Sequence, residues 1–263
     1  RWWLYNMKKI QAIKQLKNDG LTIIKNVINT KECLKLKNYF LRLENKRIKD
    51  GEKIIFNDGS TRIFNFFLEN YKLTNFLYNN YLNEIFLKLL GDPYVLRVCS
   101  AMNLQDIDTK RIQDGTGWHT DWAYNSDNIK FGYGGSYHVI IALDDFTKDN
   151  GATHYIKGSH KWKKKPTRET KYKSNMILMK KGSMAIFDSS IWHKSGKPSN
   201  NSRWGIWSVY TQWWVKPYFR YNEIFTKKIR GKLSKRILKI LHSNSVPPLN
   251  AKKRVLTITE NII

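Results

Sequence analysis

The sequence predicts a mainly β protein with flanking helices, its core an antiparallel sandwich or barrel, and two textures carry that expectation. Between residues 94 and 214 short β-prone runs alternate with Gly, Asn, Asp and Ser, as strands joined by turns do. On either side the apolar residues recur at helical spacing instead. In order, Met7, Ile10, Ile13 and Leu16 stand at three-residue steps between lysines, and this helix stops at Asn18-Asp19-Gly20. Leu21 to Val27 reads as a strand, and Thr30 is placed to cap a second helix carrying Leu34, Leu36, Tyr39, Phe40 and Leu43. Asn57-Asp58-Gly59-Ser60 is a turn cluster, and residues 74–90 read as a third helix ended by Gly91-Asp92-Pro93. The β-prone runs are Val95 to Leu104, Tyr137 to Leu143, Ala152 to Ile156, Met176 to Met179, Ser183 to Phe187 and Arg203 to Trp213. Helix then returns, with Ile229, Leu233, Ile237, Ile240 and Leu241 in one apolar stripe beside Lys228, Lys232, Lys235, Arg236 and Lys239. Packing against the protein's own sheet is the commoner fate of such a basic amphipathic helix than membrane binding. The expected layout is one domain over residues 1–263, helical over 7–92, β core over 94–214 and a helical extension over 215–263.

A chain of 263 residues, 41% of them hydrophobic, can bury one sizeable core. It has no run of eighteen uncharged apolar residues and no secretory h-region, so a cytoplasmic protein without a membrane span is expected. Cys33 and Cys99 lie far apart among apolar neighbours and read as buried thiols in preference to a disulfide framework or a thiolate metal site. The formal charge of +26 raises nucleic acid as a partner. The excess is mostly lysine, accompanied by Asn and Ile, and is scattered along the chain. A/T-rich codon usage can produce much of that pattern, and an anionic substrate or partner is the alternative.

The chemistry lies in Gly117-Trp118-His119-Thr120-Asp121-Trp122. Side chains i and i+2 of an extended segment share a face, so His119 and Asp121 present an imidazole and a carboxylate to one ion. A third ligand must come from elsewhere, because a two-His-one-carboxylate triad with three open positions is the arrangement of iron(II) oxygenases. His193 follows the strand Ser183 to Asp188, and Arg203 lies on the next β-prone run. A hairpin with its turn at Lys197 to Asn201 would bring Arg203 beside Ser195. There its guanidinium fork could grip the remote carboxylate of a dicarboxylic co-substrate.

With these residues in view, the chain resembles the phytanoyl-CoA dioxygenase family of iron(II)/2-oxoglutarate oxygenases over roughly residues 10–214. His119-Thr120-Asp121 resembles the metal dyad. Leu143-Asp144-Asp145-Phe146-Thr147, Asn150-Gly151-Ala152-Thr153 and Gly158-Ser159-His160-Lys161-Trp162 resemble the central stretch. His193-Lys194-Ser195-Gly196 with Asn201-Ser202-Arg203 resembles the distal ligand and 2-oxoglutarate arginine, and Ser245-Val246-Pro247-Pro248-Leu249 is also similar. The resemblance implies a double-stranded β-helix, a jelly-roll or cupin-like core. It also implies Fe(II) held by His119, Asp121 and His193, with 2-oxoglutarate and O2 as co-substrates. Thr120 stands where members often carry Gln, and Lys157 where they often carry Pro. The carboxylate of Asp121 favours hydroxylation, since halogenating relatives replace it with a small residue.

Of the other candidates, Ser195, Asn103 and Thr120 are expected at 2-oxoglutarate, and Trp122 and Tyr124 at the substrate. His160 is expected to stabilise its loop, His138 and His154 to be structural, and His242 to sit at a helix end in a surface or dipole role. The segments from Asn57 to Phe67 and from Trp122 to Gly135 are expected to set substrate choice. The leading functional expectation is hydroxylation of an aliphatic C–H of a small metabolite or acyl substrate, with carboxylate, phosphate or phosphonate as the anionic group suggested by charge. The alternatives are an oxygenase acting on nucleic acid, motivated by Lys161 to Lys165 beside Trp162, and a non-catalytic binding module.

Overall fold

The computed structural model describes residues 2–56, 59–104, 117–121, 134–162, 164–167, 172–197 and 203–242. Helix α1 spans Trp2–Asp19, longer than expected. Its buried positions are Ala12 and Leu16, while Ile10 is exposed. A strict three-residue repeat drifts around a helix of 3.6 residues per turn, and the i, i+4 pair is the one that stays on the core side. Strand β1 covers only Leu21–Ile24. It stops short of Val27 because the chain turns at Asn26, whose φ is 58°.

Helix α2 runs over Thr30–Lys49, and its cap is Asn29 rather than Thr30, the side-chain oxygen accepting from the Glu32 N–H at 2.9 Å. It buries Cys33, Leu36, Phe40 and Leu43 and leaves Leu34 in solvent. The expected helix over 74–90 is divided. A 3-10 turn covers Tyr71–Leu77, and α3 begins afresh at Asn80–Leu89, where Asn79 caps the Leu82 N–H at 2.8 Å. Strand β2, Ser60–Phe64, emerges directly from the turn cluster and was not anticipated.

The remaining strands are β3 Tyr94–Leu104, β4 Ser136–Ala142, β5 His154–Tyr155, β6 Asn175–Met176, β7 Met184–Asp188, β8 His193–Lys194 and β9 Arg203–Gln212. A six-stranded antiparallel sheet has the order β1-β7-β4-β9-β3-β2, and a three-stranded sheet the order β6-β5-β8. The predicted hairpin between β8 and β9 does not exist among the described residues: β8 pairs with β5 in the small sheet and β9 lies between β4 and β3 in the large one. The two strands face each other across the sandwich instead of pairing edge to edge.

Strand alternation divides the large sheet into two faces. Val139, Ile141, Met184, Ile186, Trp204, Ile206 and Tyr210 meet the helices in the main core. Ile140, Ala142, Ala185 and Phe187 face the small sheet in a second core with Ala152 and Ile177. Beyond β9 the single amphipathic helix expected is two short ones, α4 Lys227–Arg230 and α5 Lys235–Ile240, capped by Thr226 and Ser234. Ile237, Ile240 and Leu241 are buried as the stripe requires. His242 is not at the surface: it is 4% exposed, its Nε2 lies 2.8 Å from the Leu96 carbonyl and its ring stacks on Tyr221. Trp122, Tyr124 and Ser245 to Leu249 lie outside the described residues.

Candidate metal centre and co-substrate pocket

The segment 117–121 joins the edge of the small sheet through one reciprocal pair, His119 N–H to the His193 carbonyl and His193 N–H to the His119 carbonyl, each 3.0 Å. The Asp121 N–H donates to the Ser189 carbonyl at 2.9 Å. These bonds carry two sequence-distant imidazoles to adjacent positions, with ring centroids 4.3 Å apart. One donor atom from each of His119, Asp121 and His193 lies within 4.8 Å of the other two. Asp121 Oδ2 is 3.0 Å from His193 Nε2, and Asp121 Oδ1 is 3.7 Å from His119 Nε2.

Both imidazoles are oriented by the backbone. His119 Nδ1 lies 2.8 Å from the Gly117 carbonyl and His193 Nδ1 2.9 Å from that of Ile191. A carbonyl can only accept, so each Nδ1 carries the proton and each neutral ring keeps its Nε2 lone pair for a metal. That donor set suits Fe(II), which accepts imidazole and carboxylate ligands together.

The electrostatics are mutually supporting. Burial by itself would raise the Asp121 carboxyl, but His193 and then His138 outweigh it and hold the group well below the usual carboxylate range. Burial works in the opposite sense on His193, and Asp121 overrides it to leave that imidazole raised. His119 is lowered, by burial and then by His193.

His138, expected to be structural, lies against the candidate metal ligands. It sits on the cavity face of β4 with Nε2 3.1 Å from Asp121 Oδ2, and its ring stacks on Phe187 at 4.8 Å. Its place two residues before Ile140, on the same face, was the available signal. Only the sheet order shows that this face meets the metal ligands.

Arg203 opens β9 on the same cavity face and is 2% exposed. Its guanidinium lies 4.2 Å from the Phe146 ring centroid and 5.7 Å from that of Trp207. Gly205 lies between Arg203 and Trp207; a Cβ there would meet the Trp207 ring at 2.7 Å and Phe146 at 3.2 Å. Nε and Nη1 of Arg203 are buried without a hydrogen-bond partner among the described residues. Burial pushes the group down to about 9. A guanidinium desolvated beside two aromatic rings, with no carboxylate partner among the described residues, is costly, and an incoming dicarboxylate would relieve that cost.

Ser195 lines the same cavity, so Ser195 and Arg203 do share a pocket, reached from opposite sheets rather than along a hairpin. The cavity is about 230 Å³ and also takes in His119, Asp121, His138 and His193. Asn103 is not part of it. It lies on the helix side of β3, opposite in alternation to Met102 and Leu104, which do line the cavity. Thr120 is half-buried between the two ligands and is likewise absent from the lining.

The Gly158-Ser159-His160 element is structural here: the Gly158 N–H donates to the Asp19 carbonyl, His160 Nε2 lies 3.2 Å from the Lys17 carbonyl, and Ser159 Oγ accepts from the Trp192 N–H at 2.8 Å. It thereby buttresses the residue before His193. His154 pairs with Ser174, Nδ1 to Oγ 3.4 Å. Trp162 packs edge-on against Trp192 with centroids 5.0 Å apart, and Lys164 Nζ sits 5.6 Å from its ring. Trp162 itself remains 37% exposed.

Solved structures share this architecture. HygX from Streptomyces hygroscopicus, with nickel and 2-oxoglutarate bound, matches 80% of this chain and 89% of its own at 12% identity and a TM-score of 0.63. The epimerase SnoN, in complex with Fe3+, alpha ketoglutarate and a nogalamycin compound, matches 79% and 84% at 13% identity and a TM-score of 0.59. In sequence, the uncharacterized protein Rv1501 of Mycobacterium tuberculosis is 34% identical over 104 residues, 38% of each chain, so the match spans about two fifths of that relative. Among the described residues no helix is long and apolar enough to cross a membrane. The family model described as Phytanoyl-CoA dioxygenase (PhyH) matches residues 16–204, and with the sheet order and the two-histidine, one-aspartate cluster in place, the chain belongs to that family.

Proposed function

We propose that this protein is an Fe(II)- and 2-oxoglutarate-dependent dioxygenase that hydroxylates an aliphatic C–H bond of a small metabolite or acyl substrate. The balanced conversion takes substrate, O2 and 2-oxoglutarate to hydroxylated substrate, succinate and CO2. The observation that carries the reading is Arg203, a buried guanidinium whose Nε and Nη1 are unsatisfied among the described residues, in the same cavity as three convergent metal-ligand atoms.

His119, Asp121 and His193 would hold the metal, each offering one donor atom. When bound, iron(II) supplies the activation of oxygen that is coupled to decarboxylation of the keto acid. Arg203 receives the far carboxylate through its fork, with the Ser195 hydroxyl beside it, and the rings of Phe146 and Trp207 exclude water from that ion pair. Asp121 supplies a carboxylate where a small residue would be needed to make room for halide, which favours hydroxylation.

Anaerobic titration of the metal-free protein with iron(II) and 2-oxoglutarate tests the reading through the visible charge-transfer band of the chelate. The band is expected in wild type, absent in His193→Ala, and shifted to higher 2-oxoglutarate in Arg203→Ala. A folded wild type that gives no band sinks it and brings the binding-module alternative forward.

A further inference from the structure

The loop that follows β9 carries a surface that the oxygenase chemistry does not use. Residues 213–222 contain five aromatic residues, two cations and no acid. Strand β3 fixes the course of this loop. Gln212 ends β9 opposite Tyr94, and the Tyr218 N–H donates to the Arg97 carbonyl at 3.0 Å. Strand β3 bulges at that point: Leu96 opposes Tyr210 and Val98 opposes Val209, leaving Arg97 as the extra residue. A bulged residue stands outside the ladder, and here its carbonyl anchors the loop. The loop therefore runs back beside β3 from the Tyr94 end, and buried Val215 pins it down between Trp214 and Lys216, which stand out from it.

Phe219, next after the anchor, meets Phe64 of β2 with ring centroids 5.6 Å apart, and Phe64 lies 6.0 Å from Phe56, beside exposed Ile55. Phe64 and Tyr218 both line the cavity that holds the metal-ligand atoms. Tyr218 is also 62% exposed, so the cavity reaches the surface beside it, and Trp214, four residues earlier on the loop, is 58% exposed. The β2–β3 side of the cavity thus ends in an apolar rim whose outer members are a tryptophan and a tyrosine.

The chemistry of the rim selects its partner. Trp and Tyr, apolar rings with one polar edge, settle at the boundary between hydrocarbon and water. Lys216 and Arg220 are exposed on the same loop, Arg220 with Glu223 at 3.5 Å, and the chain as a whole carries a formal charge of +26. A small soluble anion would meet the cations and leave the rings in water. An anionic bilayer surface takes both, rings among the headgroups and cations against phosphates.

We propose that this rim docks on an anionic phospholipid surface, with Trp214 and Tyr218 entering the headgroup layer and Lys216 facing lipid phosphate, so that the cavity opens toward the lipid. The docking goes beyond the oxygenase reading and does not depend on it, because vesicle binding needs neither metal nor co-substrate.

Co-flotation of the full chain with vesicles tests this, using phosphatidylcholine alone and a seven-to-three mixture with phosphatidylglycerol, at about 0.15 and 0.5 M salt. Wild type is expected to float with the mixed vesicles at both salt levels, because screening weakens charge contacts and leaves ring burial intact. Trp214→Gln/Tyr218→Ser should lower the partition coefficient by about tenfold or more. Lys216→Gln should lower it by about fivefold, at the lower salt only. Leu34→Gln/Leu41→Gln, which removes exposed apolar groups from α2, should change nothing. Lipids brominated on the acyl chain should quench tryptophan emission in wild type and much less in Trp214→Phe, which still floats. The assignment is overturned by a wild type that stays unbound, by binding that survives in Trp214→Gln/Tyr218→Ser, or by an equal loss in the α2 variant. A wild type that dimerises on size exclusion without binding vesicles, while Trp214→Gln/Tyr218→Ser stays monomeric, overturns it in favour of a second copy of the chain.

Discussion

The two ends of the cavity treat their charges in opposite ways. At the metal end, Asp121 lies within 3.1 Å of both His193 and His138, and Asp121 is lowered while His193 is raised before any metal arrives. At the other end, Arg203 is more completely buried and lies against aromatic rings, with Nε and Nη1 unsatisfied among the described residues. The difference teaches that a site can be prepared by internal compensation or by its absence. The first orients ligands for an ion that must displace protons. The second leaves a deficit that one particular class of ligand fills.

The largest effects are expected where that contrast is broken outright. His193→Ala removes a ligand and leaves Asp121 with His119 and His138 as its imidazole neighbours. Loss of metal affinity by more than 100-fold is expected in a metal-ion titration followed by calorimetry. Arg203→Met should separate stability from binding. The concentration of 2-oxoglutarate for half-formation of the chelate should rise about 10- to 100-fold, while the metal-free protein gains on the order of 1 kcal/mol in urea unfolding, because an unmatched buried charge has gone. A loss of stability in that variant would show that the guanidinium is compensated after all.

Asp188 supplies a control near the metal end. It is 1% exposed at the end of β7, and burial raises its carboxyl to about 6 despite the Ser190 N–H at 2.8 Å. A raised folded value means that the folded state holds the proton more tightly than the unfolded one. Its contribution is therefore favourable below pH 4 and is lost as pH rises through 6. Asp188→Asn escapes that loss, so its stability relative to wild type should climb by about 2–3 kcal/mol between pH 4 and 7.5 in thermal or urea unfolding.

Smaller effects sharpen the compensation at the metal end. His193 is raised by Asp121 once burial has been overcome, so its stabilising charge is present at low pH and fades as pH climbs above the ordinary imidazole range. Metal binding needs the neutral ring, so affinity should increase from pH 6 to 8 with release of about one proton, measured by titration in buffers of different ionisation enthalpy. His138→Phe keeps the stack on Phe187 and deletes the contact with Asp121. About a tenfold loss of metal affinity is expected, whereas an unchanged affinity would return His138 to a packing role.

Much of the architecture was legible because its signals are local. Turn residues punctuate the β-prone runs, and the His119–Asp121 spacing needs only the two-residue repeat of an extended chain. Where the reading failed, the deciding partner was distant in sequence. The run from Ser60 to Phe64 is a strand because β3 offers an edge to it. The helix expected over 74–90 is interrupted where Asn79 finds the Leu82 N–H to cap. Asn103 was assigned to the pocket without knowledge of the bulge after Leu96, which decides which parity of β3 faces the cavity.

The amino-acid sequence by itself determined the mainly β core, the flanking helices, the donors of the 119–121 segment and the family resemblance, since each rests on residue type and short-range spacing. Only the tertiary structure decided that β8 and β9 belong to opposite sheets, that Ser195 and Arg203 meet across a cavity, and that His138 and Arg97 face inward. A one-residue shift of parity moves every side chain of a strand to the other face, and that parity is set by sheet order and bulges formed with partners far along the chain.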